Sequence, residues 1–414
     1  MMGKHTLYLF YFLMINSLWT VGQDRFLSQE EVREDLSFLQ KQLIKHHPNL
    51  YVYTQPHAFH EFFDSLIIPD SLSLPETYTL IASTHALIKD GHTLLFPSSQ
   101  TLQINRNTGY FFPVQPFWDG NALYALHNYD PSSSISRGDK ILSINGIPSH
   151  TLIDGLLKKM MRDGEGHQYS TWVLNTYFYE YYSYFYGCHK AYEVTVERKG
   201  KEVSLTLPGI RRAQLLEQIA RASEPEETGI TLDWELENQA ALLTIKTWHS
   251  NILRKQYAQN FKKEIQSIMP FLAQKNIEHL IIDLRNNQGG DTQNSRLLLS
   301  YLLDEPFELV EGYQKMQNGK LVKCKGPQMG MHNPKSPVFQ GKVYVLTNGG
   351  SFSNTGIFCS VLKKYNRALF IGEETGGSEF VISGAAKNIR LPYSGLTLAI
   401  PRLQFLIKEN KLIS

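Results

Sequence analysis

The chain has 414 residues, 42% hydrophobic and 19% charged, a length and balance that suit two or three folded domains rather than one core. Its 41 Lys and Arg against 39 Asp and Glu leave a formal charge of +2, so no global field recruits nucleic acid or anionic lipid. Three cysteines, Cys188, Cys324 and Cys359, with no CxxC, are too few for a disulfide scaffold.

Met1 to His5 supplies a basic start, and Thr6 to Trp19 is a short run of mostly Leu, Tyr, Phe, Ile and Met. Small residues then precede a polar boundary, the pattern of a signal peptide spanning 1–22 with cleavage after Gly22. Removing it would take away Lys4 and lower the charge from +2 to +1. The run is too short and interrupted for a membrane anchor, and no cysteine stands at the boundary for lipid attachment. An exported protein is expected, periplasmic or extracellular and compatible with association to the envelope.

Residues 23–108 read as an N-terminal helical region. Ser28 and Glu31 fit a capping box, Leu27 and Val32 are spaced for a hydrophobic staple, and Leu36, Leu39, Leu43 and Ile44 recur at helical spacing. A second helical pattern runs from Tyr78 to Ile88 and ends at Lys89-Asp90-Gly91-His92-Thr93.

Residues 109–212 change character. Ala122–Leu126 is a strand, Ile135–Gly146 reads turn, strand, turn, and Tyr192–Arg198 breaks at Lys199-Gly200-Lys201 before Val203–Leu207, the period-two pattern of a hairpin. Between them, residues 152–187 carry a helical run and a dense Tyr and Phe cluster, Tyr177 to Tyr186, which suits a contact surface and internal packing equally.

After a polar linker, Arg221 to Thr228, residues 213–414 hold strands at Ala241–Trp248, Leu280–Leu284, Val343–Thr347 and Ala368–Gly372. Helices separate them: one ending before Pro270, then Asn294–Leu303 and Thr355–Tyr365. This alternation predicts crossover units on a largely parallel core.

Two strand ends carry the chemistry. Ile281–Gly290 and Leu346–Thr355 are apolar runs that stop abruptly in small and polar residues, the edge at which open α/β sheets hold their sites. Ser351 and Ser353 are candidate nucleophiles. Ser353 is preferred because it lies further into the strand-to-helix turn, although an ordinary helix cap explains the same pattern. A serine hydroxyl needs a base. His92, between a helix end and a strand start, is favoured, although a histidine there could also cap or pack. The Asn354 N–H and that of Gly289 or Gly290 are placed to form an oxyanion hole, with glycine allowing close backbone approach. Asp283 and Arg285, two apart on a strand, can pair to order the turn. His46, His47, His57 and His60 cluster without the Cys or Asp set of a tetrahedral site, so neither metal nor cofactor is expected.

With those residues in view, the chain resembles the C-terminal processing peptidases of family S41. Ser136–Gly146 looks like the core signature of a PDZ domain. Ile281–Gly290 is similar to the family's Asp-Leu-Arg-x-Asn-x-Gly-Gly element, and Asn348–Ser353 to its Asn-x-Gly-Ser-x-Ser element, whose second serine is the nucleophile. Gly372–Gly377 looks like its next glycine-rich block. Where a Ser-Lys dyad would place lysine, 25 residues after Ser353, stands Ser378, with Lys387 nine further on. Asp90–Thr93 fits instead the histidine segment of the tricorn-core-like branch, whose acid near the C-terminal end would here be Glu409; that branch's serine before the histidine is replaced by Gly91. The resemblance implies a crotonase-like ββα core with a mostly parallel sheet. It further implies a serine endopeptidase working by acyl-enzyme chemistry on peptide or unfolded protein, with a homo-oligomer as an open option. A catalytically degenerate peptide- or protein-binding relative is the alternative. A carbohydrate or lipid esterase fits the PDZ-like region less well.

Overall fold

The computed structural model describes residues 25–222 and 228–407. The leader 1–22, Glu409 and residues 223–227 of the linker lie outside the described residues. Among the described residues no helix is long and apolar enough to cross a membrane.

The first helix, Gln29–His46, starts as its sequence dictates. Ser28 accepts from the Glu31 amide at 3.3 Å while Glu31 Oε2 accepts from the Ser28 amide at 2.9 Å. Leu27 and Val32 are both fully buried in one apolar core. This helix is fastened to the far end of the chain by Asp35, wholly buried, whose two oxygens accept from the Tyr393 and Ser394 amides at 2.9 and 2.8 Å. Asp35→Ala leaves the buried Ser394 amide and the half-buried Tyr393 amide unpaired and is expected to cost about 2–3 kcal/mol, read as a lower midpoint in urea denaturation at unchanged slope.

A separate β-rich, PDZ-like region follows. Its main sheet is antiparallel, with Lys201–Pro208, Ala191–Arg198, Lys140–Ile144, Leu123–Asn128 and Val114–Trp118 as successive neighbours. The kinked helix Gln168–Tyr186 packs on it, and Asn175 fills the outer edge by bonding both the Trp118 amide and carbonyl, at 2.8 and 2.9 Å. The aromatic cluster of this helix is largely internal: Phe178, Tyr179, Tyr182 and Phe185 are buried.

The expectation of a crotonase-like ββα core on a mostly parallel sheet is overturned. The fold is α/β with antiparallel sheets dominant. Of seven sheets among the described residues, six pair wholly antiparallel. Parallel ladders are confined to Ala240–Ile245, His279–Asp283, Lys342–Thr347 and Ala368–Gly372, and even there Ile230–Asp233 joins antiparallel. The physical reason is turn length, since a parallel return needs a long crossover. Asn318-Gly319 and Lys199-Gly200, all four at positive φ, are two-residue hairpin turns that force antiparallel partners.

The helix Phe261–Gln274 also runs past Pro270 instead of stopping before it. The carbonyl that loses its partner to a proline at 270 belongs to Gln266, which is exposed and open to water. Meanwhile Met269 and Leu272 continue to bury the inner face. All three cysteines are free, and Cys359 is packed inside the helix Asn354–Lys364.

Candidate active site

The strand Lys342–Thr347 ends in a turn that delivers Ser353 to the start of the helix Asn354–Lys364. The two candidate serines separate here. Ser351 is fully buried, donates to the Leu284 carbonyl at 2.8 Å and accepts from the Asn348 amide at 3.1 Å, so it holds the turn together. Ser353 sits at φ 57°, ψ −122°, a conformation side-chain-bearing residues rarely adopt, and makes no capping bond to its helix. Its hydroxyl instead lies 2.9 Å from His92 Nε2. The ordinary-cap explanation of this serine therefore fails on geometry.

The neighbouring turn, after His279–Asp283, cradles the first. Gly289 has φ +98°, and a Cβ there would come within 2.7 Å of Ser353 Cβ and 2.9 Å of the Asn354 nitrogen. Its own amide donates to Asn287 Oδ1 at 3.0 Å. The amides of Gly290 and Asn354 have no acceptor among the described residues, while Asn354's side chain is held by Ser295 Oγ at 2.8 Å and by the Asp291 carbonyl at 3.2 Å. Arg285 clasps Asp283 through Nη2 at 2.6 Å, and Asp283 also accepts the Arg285 amide at 3.0 Å, as their spacing predicts. Asn286 and Asn348 bind each other across the two turns at 2.9 and 2.8 Å.

His92 arrives from 261 residues upstream. Its ring stacks on Phe352 at 4.6 Å, and Tyr169 of the PDZ-like region stacks on the same phenyl ring at 3.9 Å. Asp90 fixes the loop beneath it, accepting from the His92 amide at 2.9 Å, Thr93 Oγ1 at 3.3 Å and Ser383 Oγ. A second histidine supports this carboxylate. The Asn49 amide donates to His47 Nδ1 at 3.1 Å, which places the His47 proton on Nε2 to donate to Thr93 Oγ1 at 2.8 Å. Asn49 then donates to Ser383 at 2.7 Å and accepts from Gln404 at 2.6 Å.

Burial disfavours the charged form of Asp90, yet His47, His92 and the donated hydrogen bonds outweigh it and hold the carboxyl below its usual range. Burial lowers the His92 pKa against the pull of Asp90, so the imidazole is neutral at pH 7 and able to accept a proton. Its Nδ1 is buried without a partner.

The other residues of interest fall as follows. Ser378 accepts from Tyr53 at 2.7 Å, and Lys387 lies exposed in the strand Lys387–Arg390. Among the described residues one grouping has metal-ligand proximity, Asp90, His92 and Asp163, with one atom of each within 4.8 Å of the others. It belongs to this same site. His46, His57 and His60 join no such grouping.

Residues 239–410 match Peptidase family S41. That segment, rather less than half of the chain, is where the likeness to the S41 peptidases lies. A probable CtpA-like serine protease of Staphylococcus epidermidis is 26% identical over 152 residues, 36% of this chain and 28% of that protein. The carboxy-terminal processing protease CtpB of Bacillus subtilis is 28% identical over 213 residues, covering 48% of this chain and 39% of that one. The match thus spans well under two thirds of either relative. Mature CPAF complexed with lactacystin has a similar fold, with a TM-score of 0.60 at 16% identity over 91% of this chain and 90% of that chain. Mature CPAF alone gives 0.58 at 17% identity. The S41 match contains Ser353, Gly289, Gly290 and Asn354 but not His92, which reaches the site from outside it. Asp163 carries no local signal in the sequence, and the Asp90 network carries one, an aspartate before Gly-His.

Proposed function

We propose that the chain is an exported serine endopeptidase of S41 type that cleaves peptide bonds through an acyl-enzyme. The observation carrying this reading is the 2.9 Å contact between His92 Nε2 and a Ser353 hydroxyl freed from helix capping. His92 removes the Ser353 proton as Oγ attacks the carbonyl. The Gly290 and Asn354 amides receive the oxyanion, while Gly289 lets the backbone come close enough for them to do so. His92 then protonates the leaving amine and activates the water that releases the acyl group.

In this proposal residues 1–22 are the export leader, 23–108 the helical region, 109–212 the PDZ-like region that receives an extended peptide, and 213–414 the α/β peptidase part. No metal or cofactor takes part. Glu409 is retained as the acid that the resemblance implies, with Asp163 as a competitor for that role. The bare Nδ1 of His92 favours a second reading, a degenerate relative that binds peptides without cutting them.

Reaction of the purified chain with a serine-directed fluorophosphonate separates the two. Covalent attachment mapped to Ser353 by peptide mass spectrometry is the expected result, with a casein or unstructured-peptide digest as companion assay. Failure to label Ser353 in folded protein would leave only the binding role.

A further inference from the structure

We propose that Asp163, delivered by the PDZ-like region, is the carboxylate that supports His92 during proton transfer; this rests on the serine-peptidase reading above. Asp163 lies in the connection between the helices Ser149–Leu157 and Gln168–Tyr186. It reaches across to both sides of the site, with Oδ1 accepting the Gly91 amide at 2.5 Å and Oδ2 the Ser378 amide at 3.4 Å. One atom each of Asp163, Asp90 and the His92 ring lie within 4.8 Å of one another, and His92 Nδ1 is buried with nothing bonded to it.

The neighbouring residues leave Asp163 this role. Asp90 is engaged by the His92 amide, Thr93 and Ser383. Glycine at 91 keeps the space clear, because a Cβ there would stand 3.1 Å from Asp163 Oδ1 and 2.6 Å from the Phe352 ring. The segment is pinned to the histidine loop by the Gly164 amide on the Lys89 carbonyl at 2.9 Å and by the Lys89–Glu165 ion pair at 2.5 Å. A direct bond from Nδ1 to Asp163 would form by the kind of tightening that substrate-free sites commonly still await, through a small side-chain rotation or one bridging water.

In the step itself the Ser353 O–H bond breaks and an Nε2–H bond forms. The Nδ1 proton stays on the ring, hydrogen-bonded to Asp163, whose negative charge offsets the new imidazolium. The titratable and charged groups around Asp163 are Asp90, His92, Tyr53, Tyr169, Arg162, Glu165 and Lys89. Burial, then Asp90, raises the Asp163 pKa well above the ordinary carboxylate value. The supporting anion is therefore present at high pH and lost as pH falls through that raised value. His92, with its lowered pKa, is protonated only at pH below its usual range.

The test is the rate of Ser353 labelling by a fluorophosphonate across pH, on the full chain and on Asp163→Asn, Asp163→Glu and Glu409→Gln. In wild type the rate should rise through two ionisations. Asp163→Asn should lose one of them and fall by on the order of 10²-fold at the plateau, and Asp163→Glu should recover part of the rate. Should Asp163→Asn fail to fold, wild-type imidazole ¹⁵N and ¹H spectra decide: a downfield, hydrogen-bonded Nδ1 proton on His92 supports the assignment, and its absence refutes it. Unchanged rate and profile in folded Asp163→Asn, or a collapse confined to Glu409→Gln, overturns the role of Asp163 while leaving the peptidase reading intact. A wild-type chain that never labels removes both.

Discussion

Replacing Ser353 with alanine is expected to abolish fluorophosphonate labelling and to reduce peptide cleavage by up to ~10⁶-fold, the scale seen when a triad serine is lost. Stability should change by no more than about 1 kcal/mol. The hydroxyl is partly exposed, caps nothing and bonds only the His92 ring. Its removal leaves no buried backbone donor without a partner. A structural serine would behave the other way: Ser351→Ala strips the Leu284 carbonyl and the Asn348 amide of a buried partner, so its main effect should be on the melting temperature. Measuring labelling, turnover and thermal unfolding on both variants tests the assignment. Cleavage that survives in folded Ser353→Ala would mean the chemistry resides elsewhere.

How much of this was legible in the residues depends on sequence distance. Local signals read well: the Ser28–Glu31 capping box, the Asp283–Arg285 clasp and the strand-to-helix turn at Ser353 each involve partners two to six residues apart. The alternation of strands and helices between 240 and 372 also produces the parallel ladders it predicts. It misled about the whole, because alternation is silent on how the remaining strands find partners. Leu94–Phe96 pairs with Thr397–Ile400, some three hundred residues away, and no local pattern in either strand encodes that choice. The support of the histidine was hidden for the same reason. Ser383, Asn49 and Asp163 are ordinary polar residues in sequence, and only the fold places them around Asp90 and His92. Gly91 stands where the tricorn-core-like branch has a serine; in the fold its amide donates to Asp163, and no Cβ crowds that carboxylate.

Gly289→Ala is the second large effect expected, a loss of at least ~10² in the labelling rate with Ser353 and His92 both still in place. Two costs act together. At φ +98° an alanine backbone is strained, worth about 1–3 kcal/mol. Its methyl would also stand 2.7 Å from Ser353 Cβ, 2.9 Å from the Asn354 nitrogen and 2.9 Å from the Phe352 carbonyl. These are backbone atoms and a short side chain, so nothing can swing aside, and the nucleophile turn must shift. A shift there breaks the 2.9 Å approach to His92 and re-aims the Asn354 amide in one movement. Gly146→Ala separates strain from position. It too has positive φ, +78°, but a Cβ there meets nothing within 4 Å, so it should lower the melting temperature without touching the labelling rate. If both alanines cost stability alone and label at the wild-type rate, Gly289 is only a turn glycine, and the close packing of the two strand ends has no part in positioning Ser353.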